Sequence, residues 1–219
     1  MLDHHLQREI HFQLSHADSL RFSELQPEGV ENKLFDYHLK KTLRSGLIQK
    51  NDDGSYSLTP TGRRIGAGTL SRPSSTADKA YSLLLFGLQR EDGAWLLYER
   101  TSHPQINRVG LPQHRPDAHH STLESARTFA TQIDIEADFS VHAHGYLRVF
   151  DENDAVESFV HFTLLKGVCS AADTPLPDGY RWVAAADFSD LDLLPSTSVL
   201  MKLLAGPTGG FADETLRIS

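Results

Sequence analysis

A stretch of small and turn-forming residues divides this 219-residue chain into two parts with different patterns. The stretch is "GAGTLSRPSSTADK", from Gly66 to Lys79. Its glycine, serine, threonine and proline residues resist regular structure and bury little surface, which is typical of a linker. The chain is long enough for one or two domains. We expect two, at residues 1–68 and 79–219, joined by a linker at residues 69–78.

Charge is spread unevenly between these parts. The whole chain has a net charge of −8. Residues 1–70 contain nine Lys or Arg and nine Asp or Glu, whereas residues 71–219 contain twelve and twenty. The acidic excess therefore lies in the second part. Because a strongly acidic surface repels nucleic acid, any DNA-binding element is expected in the first.

Cysteine content and hydropathy favour a cytoplasmic protein. The chain has one cysteine, Cys169, so an intramolecular disulfide is excluded. We find no run of about 18 apolar residues of the kind that spans a membrane, so no membrane partner is expected. The N-terminal sequence "MLDHHLQREI" lacks the basic and then apolar pattern of a secretory signal.

The first part begins with two predicted helices. Leu6, Ile10 and Leu14 recur at the spacing of one helical face. The segment "RFSELQP" predicts a short second helix with Ser23 as its N-cap and Pro27 at its end.

A third helix and a hairpin are predicted to follow. Gly46 stands where the C-cap glycine of that helix belongs. The segment "LIQKNDDGSYSLTPTGRR" predicts two strands around an Asp-Gly turn. The apolar stripe of the third helix is expected at Leu34, at Tyr37 or His38, and at Leu39 and Leu43.

The segment "VENKLFDYHLKKTLRSGLIQKNDDGSYSLTPTGRR" resembles the recognition helix and wing of winged-helix domains of the ArsR/MarR type. The resemblance covers roughly residues 5–65. It implies that the third helix enters the major groove of DNA and that the protein binds a two-fold operator as a homodimer. Carried over by position, it places these residues on or near the DNA: Asn32, Lys33, Asp36, Tyr37, Lys40, Lys41 and Arg44.

Two other interpretations of this helix remain open. Its charged residues are also what the solvated face of an ordinary helix would carry, and winged helices also serve as protein-interaction modules. Glu31 and Asp36 interrupt the positive charge.

The second part has an α+β pattern. Two apolar strands surround the turn "REDG", and "FSVHAHGYLRVF" and "VESFVHFTLLKGV" predict two more. Between them "STLESARTFATQI" predicts a helix capped by Ser121 or Thr122, and the C-terminal region predicts another. This order favours a mixed sheet between helices. The buried side of the first of these helices is expected at Leu123, Ala126, Phe129 or Ala130, and Ile133.

Residues 79–206 resemble the Nudix hydrolase fold, an α/β/α sandwich, through the strand "LLYER", the "GLP" before the loop and the "RWV…LLP" ending. In that family, carboxylates on a loop and helix hold Mg²⁺, which binds diphosphate oxygens and activates water. Aligned to the motif, this chain keeps the arginine as Arg127 but has Gln113 at the first glycine. The four acidic positions carry His119, Thr128, Thr131 and Gln132.

This alignment implies a Nudix-type domain without catalytic residues, a metal site or a cofactor. Such a domain can keep its ligand pocket, because residues that bind a ligand and residues that hold a metal are different sets. Guanidinium groups match phosphate geometry, so a nucleotide-type ligand is expected at Arg100, Arg115 and Arg127. Arg127 could instead brace the helix, and Arg100 could be a solvated strand end.

The primary hypothesis is a transcriptional regulator with a DNA-binding winged helix and a non-hydrolytic Nudix-like domain for ligand sensing or dimerisation. The alternative is a Nudix-type hydrolase of a nucleoside diphosphate derivative, with Mg²⁺ held by atypical acids such as Glu124, Asp117 or Glu157. His142 and His144 share one face if both lie on a regular strand, but their spacing matches no metal motif.

Overall fold

The computed structural model describes residues 4–63, 80–103, 105–151, 154, 156–170 and 175–217. The chain divides into two compact units, which we call the first unit (Met1–Asp78 with Thr101–Ile106) and the second unit (Lys79–Arg100 with Asn107–Ser219). The predicted linker at residues 69–78 lies outside the described residues.

The short segment Thr101–Ile106 groups with the first unit, which the sequence analysis does not anticipate. The backbone N–H of His103 donates to the carbonyl oxygen of Ser15 at 2.8 Å, and the His103 ring lies 3.3 Å from the carbonyl oxygen of Ala17. These contacts attach the segment to the end of the first helix.

The first unit contains three helices followed by an antiparallel hairpin, which is the predicted order. The strands pair with Ile48 opposite Leu58, and Gly54 supplies the positive φ of +84° that the turn between them requires. The elements are α1 (His5–Ser15), α2 (Phe22–Leu25), α3 (Asn32–Arg44), β1 (Ile48–Lys50) and β2 (Tyr56–Leu58). Assignment of this unit to the winged-helix class stays a prediction.

One core holds these elements together, and it contains Ile10 and Leu14 of the predicted face of α1, whose third residue, Leu6, is also buried. Ile10 and Leu14 pack with Leu25 of α2, and the side chain of Phe22 meets Phe35 edge-on at 5.0 Å. The buried apolar members of this core are Ile10, Leu14, Leu25, Phe35, Leu39, Ile48, Tyr56 and Leu58.

The predicted buried face of α3 is wrong at Leu34, and of the two alternatives Tyr37 and His38 it is His38 that is buried. Leu34 is 47% exposed and Tyr37 is 60% exposed. The buried positions are Phe35, His38, Leu39 and Thr42. Two of them are polar, and Thr42 satisfies its hydroxyl by donating to the carbonyl oxygen of His38 at 2.9 Å. The hydrophobicity pattern therefore places Leu39 correctly and Leu34 incorrectly.

The predicted N-cap of α2 is also wrong. The helix begins at Phe22 and its N-cap is Arg21, so Ser23 lies inside the helix. The carboxylate of Glu24 accepts the backbone N–H of Arg21 at 2.6 Å. A side chain from the first turn thus satisfies the N-cap, and Ser23 is not required for it.

The second unit contains eight strands and two α-helices among its described residues. A 3₁₀ helix, Ala185–Asp190, precedes the second of these α-helices. The elements are β3 (Tyr81–Arg90), β4 (Trp95–Glu99), β5 (Val109–Gly110), β6 (Gln113–His114), α4 (Thr122–Gln132), β7 (Ala137–Phe150), β8 (Val156–Cys169), β9 (Tyr180–Val183), α5 (Pro195–Ala205) and β10 (Gly210–Arg217).

The strands form one mixed sheet, which confirms the predicted α+β class. The strand order is β10-β7-β8-β3-β4-β5, with β6 beside β3 and β9 beside β4. The pairs β3–β8 and β7–β10 are parallel, whereas β7–β8 and β4–β9 are antiparallel. The sheet therefore combines both pairing types, with β10 at one edge.

A separate core covers each face of this sheet. On one face, Leu200 and Leu204 of α5 pack against Leu147, Phe162 and other sheet residues. On the opposite face, Ala126, Phe129 and Ile133 from α4 and its C-cap pack against β3 and β8. The rings of Phe86 and Phe129 stack at 4.1 Å. The sheet thus lies between the two helices, as predicted.

Several details of the second unit differ from the predictions. Leu123, expected on the buried side of α4, is 37% exposed, while Ser125 is buried. Of the two predicted caps, Ser121 is the N-cap and Thr122 is the first helical residue. Strands β5, β6 and β10 are not anticipated by the sequence patterns.

No helix in the described part of the chain is both long and apolar enough to span a bilayer.

Candidate functional site

The exposed face of α3 carries the residues that the sequence analysis predicts for DNA binding. The side chains of Lys41 and Arg44 occupy the last turn, where positive charge complements the helix dipole. The exposed predicted residues are Asn32, Lys33, Tyr37, Lys40, Lys41 and Arg44. Asp36 is only partly exposed. The helix therefore presents a mostly cationic surface to solvent.

The side chains of Lys40 and Asn32 have partners within the first unit. Lys40 forms an ion pair with Asp36 at 2.7 Å, one helical turn away. The amide oxygen of Asn32 accepts a hydrogen bond from Gln26 at 2.6 Å. Recognition of adenine by an asparagine uses both its amide oxygen and its amide nitrogen, so Asn32 would have to release Gln26 to make that contact.

Sequence analysis misses one residue of this surface, Leu34. Its side chain is exposed beside Lys33, on the same helix as the predicted cations. The rule that apolar residues lie inside a protein works in one direction only, because much of any protein surface is apolar. The exposure of Leu34 could have been predicted from its position directly before Phe35, because adjacent residues of a helix point in different directions and Phe35 occupies the core.

The second candidate region is α4 with the loop before it. Gly110 and Leu111 are buried, and the carbonyl oxygen of Pro112 accepts the backbone N–H of Phe86 at 3.0 Å. This bond attaches the loop to the sheet, and α4 then begins at its cap, Ser121. The loop and helix are thus positioned by β3.

The residues at the acidic positions of the aligned motif do not fit Mg²⁺. The side chains of Thr128, Thr131 and Gln132 lie on the exposed face of α4, as does Arg127, and all three are neutral. Thr131 donates its hydroxyl hydrogen bond to the carbonyl oxygen of Arg127 at 3.0 Å. Mg²⁺ dehydrates reluctantly and is held mainly by anionic oxygens, which these three side chains lack.

Two of the three acids considered as substitutes have local structural partners. Glu124 accepts the backbone N–H of Ser121 at 2.7 Å, and hydrogen bonds from Ser121 hold the pKa of Glu124 below its usual value. Asp117 accepts the backbone N–H of His119 at 2.7 Å and pairs with the ring of His120 at 2.8 Å. The side chain of Glu157 is outside what the structure describes.

The Asp117–His120 pair affects both partners. The hydrogen bond from His120 lowers the pKa of Asp117, and the same bond raises the pKa of His120. Each group thus stabilises the charged form of the other at the surface. Within the described residues, no three His, Cys, Asp or Glu side chains are grouped as they would be to hold a metal ion.

The two histidines that a regular strand would place on one face differ in exposure. His142 is buried and its Nε2 lies 2.9 Å from the carbonyl oxygen of Leu203, whereas His144 is exposed. A register irregularity between Val141 and Ala143 explains the difference, because a bulge interrupts the alternation of side chains along a strand.

The three arginines predicted to bind ligand are placed on three different segments. Arg100 follows β4 and is partly buried, with its backbone N–H donating to Arg108 at 2.9 Å. Arg115 follows β6, is exposed, and its guanidinium lies 5.8 Å from the centre of the Tyr81 ring. Arg127 is exposed on α4. Their phosphate-binding roles stay predictions.

A cavity of about 430 Å³ lies beside the C-terminal end of α4, within the size range of small-molecule sites. Its lining combines apolar residues with two carboxylates: Thr131, Asp134, Ile135, Glu136, Cys169, Ser170, Leu176 and Trp182. None of the three predicted arginines lines it. A phosphate group would meet two carboxylates there and no arginine, so this cavity does not suit it.

A different surface, on the α4 face of the sheet, suits a planar ring. Leu147 and Phe162 point to the core beneath α5, so their neighbours in the alternation point to the opposite face. There Tyr146 lies 5.2 Å from His161 and 5.8 Å from Phe159. We call Tyr146, Phe159, His161 and Phe211, together with Arg148, the aromatic sheet surface.

The aromatic sheet surface is only partly covered. Phe211 of β10 is 66% exposed, and Tyr146, Phe159 and His161 are partly exposed. The guanidinium of Arg148 lies 4.8 Å from the centre of the Phe159 ring and forms an ion pair with Asp213. Aromatic rings of this kind stack on nucleobases. This surface is not predicted from the sequence, because its aromatic residues lie on three different strands and come together only through strand pairing.

No protein-family model matches this chain, and no curated protein matches its sequence. Solved structures of Nudix proteins are similar to it over 58–64% of its length. The NUDIX domain of Shewanella oneidensis NrtR, solved with ADP ribose, has a TM-score of 0.43 and 17% identity, over 64% of this chain and 97% of its own.

Two further similar structures are MutT proteins. The mutator MutT protein from Bacillus halodurans has a TM-score of 0.46 and 13% identity, over 61% of this chain and 88% of its own. The MutT protein from Methanosarcina mazei Go1 has a TM-score of 0.44 and 20% identity, over 58% and 96%. At these values the likeness assigns neither a ligand nor a reaction to this chain.

Proposed function

We propose that this protein is a DNA-binding transcriptional regulator. Its first unit is a winged helix, and its second unit is a Nudix-type domain that binds a nucleotide-type ligand without hydrolysing it. The observation that carries this proposal is the exposed cationic face of α3, which includes Lys33, Lys41 and Arg44. The protein acts as a homodimer, because a two-fold operator matches a symmetric protein.

The local charge of α3 supports DNA as the partner even though the whole chain is acidic. Of the charged residues in α3, Asp36 is the one acid, and it pairs with Lys40. Lys33 in the first turn and Lys41 and Arg44 in the last turn stand on the exposed side. Cations spaced along one helix face can neutralise several phosphates at once, and this supplies most of the affinity for nucleic acid.

The neutral face of α4 supports binding without hydrolysis. Three of the positions where a Nudix hydrolase carries metal-binding acids hold Thr128, Thr131 and Gln132 here. A ring stacked on the aromatic sheet surface would contact Tyr146 and Phe211 without needing a metal. Ligand binding and hydrolysis use different residues. The loss of the metal-binding acids therefore leaves the ligand-binding residues in place.

A DNA-binding assay tests the first half of the proposal. We expect a labelled random-sequence duplex pool to bind the full chain with an affinity that falls steeply as salt rises, because cations that contact phosphates release counterions. Replacement of Lys33, Lys41 and Arg44 by Ala should remove this binding. Binding that is absent at low salt, or that is unchanged in the triple variant, would exclude α3 as the DNA-binding element.

A thermal-shift assay tests the second half. ADP-ribose, NADH and nucleoside triphosphates are added with and without Mg²⁺, and product formation is measured in the same samples. A ligand that prefers the native state raises the melting temperature. We expect at least one of these compounds to do so equally without Mg²⁺, with no product formed. Turnover that requires Mg²⁺ would instead identify a hydrolase.

A further inference from the structure

Two large apolar side chains stand together on the exposed face of α3. Leu34 is 47% exposed and Tyr37 is 60% exposed. They are three residues apart, so they are neighbours on the helix surface. The core of the first unit is filled from the other side of the helix by Phe35 and Leu39. The position of α3 therefore does not depend on burying Leu34 or Tyr37.

The ring of Tyr37 contacts a buried neighbour, His38. Its ring meets the ring of His38 edge-on at 5.1 Å, and His38 is buried in the first unit. The ring of Tyr37 is thus placed against a fixed neighbour while most of its surface faces solvent. A side chain held in this way loses less conformational entropy on binding than a free one.

The charges around this apolar pair define what can cover it. Lys33 directly precedes Leu34. Lys41 and Arg44 lie one and two turns after Tyr37 on the same exposed side. The only acid in α3, Asp36, is paired with Lys40. An apolar patch bordered by cations fits a partner with an anionic border and an apolar centre.

Duplex DNA has that arrangement in its major groove, where phosphates border the base edges and thymine presents a methyl group. Leucine has no hydrogen-bond donor or acceptor in its side chain. It can therefore distinguish bases in the groove only through apolar contact. The 5-methyl group of thymine is the apolar feature that the other bases lack.

We infer that Leu34 and Tyr37 recognise thymine methyl groups in the major groove. The preferred duplex therefore contains thymine where α3 enters it. This inference rests on the proposed DNA-binding function, and it names the base that the same face of α3 selects. Lys33, Lys41 and Arg44 would fix the helix on the phosphates, while the apolar pair supplies sequence preference.

The test replaces thymine by uracil, which removes the methyl group and leaves every hydrogen-bonding group in place. A preferred duplex is first selected from a random-sequence pool with the full chain. Its affinity is then measured by fluorescence anisotropy with thymine or with uracil at the selected positions. We expect uracil to weaken binding about fourfold for each buried methyl group.

Variants connect this preference to the residues. Leu34→Ala should bind the thymine and uracil duplexes with more nearly equal affinity, and Leu34→Ala with Tyr37→Ala should remove the difference. Phe12→Ala is the matched control, since Phe12 of α1 is 50% exposed and lies outside α3. It should keep the full preference. Circular dichroism checks that each variant is folded.

The outcomes separate this inference from the proposed function. Salt-dependent binding with no selected sequence, or equal affinity for thymine and uracil duplexes, would overturn the inference and leave the DNA-binding function standing. No binding to any duplex would overturn both. A Leu34→Ala variant that changes the sedimentation of the free protein but not the thymine preference would instead show a self-association surface, which also overturns the inference.

Discussion

Gly145 is a glycine of the sheet of the second unit where a side chain has no room. A Cβ added there would lie 2.0 Å from the carbonyl oxygen of Ala212 and 2.8 Å from the ring of Phe162. The first of these atoms belongs to the backbone of β10 and cannot rotate away. Glycine is thus required by the close approach of β7 and β10.

We expect Gly145→Ala to lower the free energy of unfolding of the second unit by roughly 1–3 kcal/mol or more, the usual cost of overpacking. Urea unfolding followed by tryptophan fluorescence measures it, because both tryptophans, Trp95 and Trp182, are in the second unit. Gly210→Ala is the control, since its Cβ would be 3.7 Å from the nearest atoms. Equal urea midpoints of unfolding for Gly145→Ala and Gly210→Ala would show that the space around Gly145 is not required to be empty.

His11 makes the stability of the first unit depend on pH. It is buried in α1, and its Nε2 lies 2.8 Å from the carbonyl oxygen of Gly62, to which the neutral ring donates. Burial lowers the pKa of His11, against a smaller opposite effect of that hydrogen bond. As pH falls below about 6.5, the ordinary pKa of histidine, the unfolded state takes up a proton that the folded state resists.

We therefore expect the first unit to lose stability as pH falls below that value, in the direction that linkage requires. Hydrogen exchange of the α1 amides, corrected for the intrinsic exchange rate, measures this loss. His11→Gln should reduce the pH dependence, because its amide can still donate to Gly62 but does not titrate in this range. A slope identical in both proteins would rule out His11 as its source.

Whether the exposure of a site residue can be predicted from the sequence depends on the type of its side chain. Lys33, Lys41 and Arg44 are exposed as expected, because lysine and arginine are seldom fully buried. Leu34 is predicted in the core because it is apolar, but apolar residues also occur on protein surfaces. Helical spacing allows either Tyr37 or His38 on the buried face, and tertiary neighbours decide that His38 is the buried one.

At the scale of elements, the sequence around Ser121 determines where α4 begins. Ser121 accepts the backbone N–H of Glu124 at 3.3 Å, and Glu124 accepts the backbone N–H of Ser121 at 2.7 Å. This reciprocal pair is a capping box, and it satisfies two donors that the first turn cannot satisfy internally.

Ser121→Ala should lower the free energy of unfolding of the second unit by about 1 kcal/mol, the typical value for loss of an N-cap. Tryptophan fluorescence during urea unfolding is again the measurement. Thr128→Ala, an exposed change within the same helix, should have little effect. A larger loss in Thr128→Ala than in Ser121→Ala would mean that the cap does not control the stability of α4.

Elements with a strong internal pattern were predicted and those without one were not. The strands β7 and β8 alternate clearly, and their existence follows from the sequence. The sequence of β10, "GFADETLR", has three charged residues and one fully buried side chain, Ala212. It is a strand because it pairs in parallel with β7, and such long-range pairing leaves no local signal.

The aromatic sheet surface is a further case at this scale. Tyr146 and Phe159 come from different strands and Phe211 from a third, β10, which was not anticipated. The site becomes visible only when strand register is known. The irregularity at His142 has the same origin, because a bulge is set by the pairing of two strands and not by the sequence of one.

At the scale of the whole molecule, the uneven charge of the chain limits how it can meet DNA. The net charge is −8, and the excess acid belongs to residues 71–219. A general electrostatic attraction is therefore excluded, so binding must be local to the first unit. The number of phosphates neutralised should then be small and should be set by the cations of α3.

The cations of α3 also set the expected salt dependence of the proposed DNA binding. Each phosphate contact contributes about −0.9 to the slope of log K against log salt concentration. Lys33→Ala and Lys41→Ala should each make the slope shallower by about that amount, with effects that add in the double variant. The matched control is Lys202→Ala, an exposed lysine on α5 of the acidic second unit, which should leave the slope unchanged. Equal changes of slope in Lys202→Ala and Lys33→Ala would show that DNA responds to the charge of the whole chain, and the assignment of DNA contact to α3 would then fail.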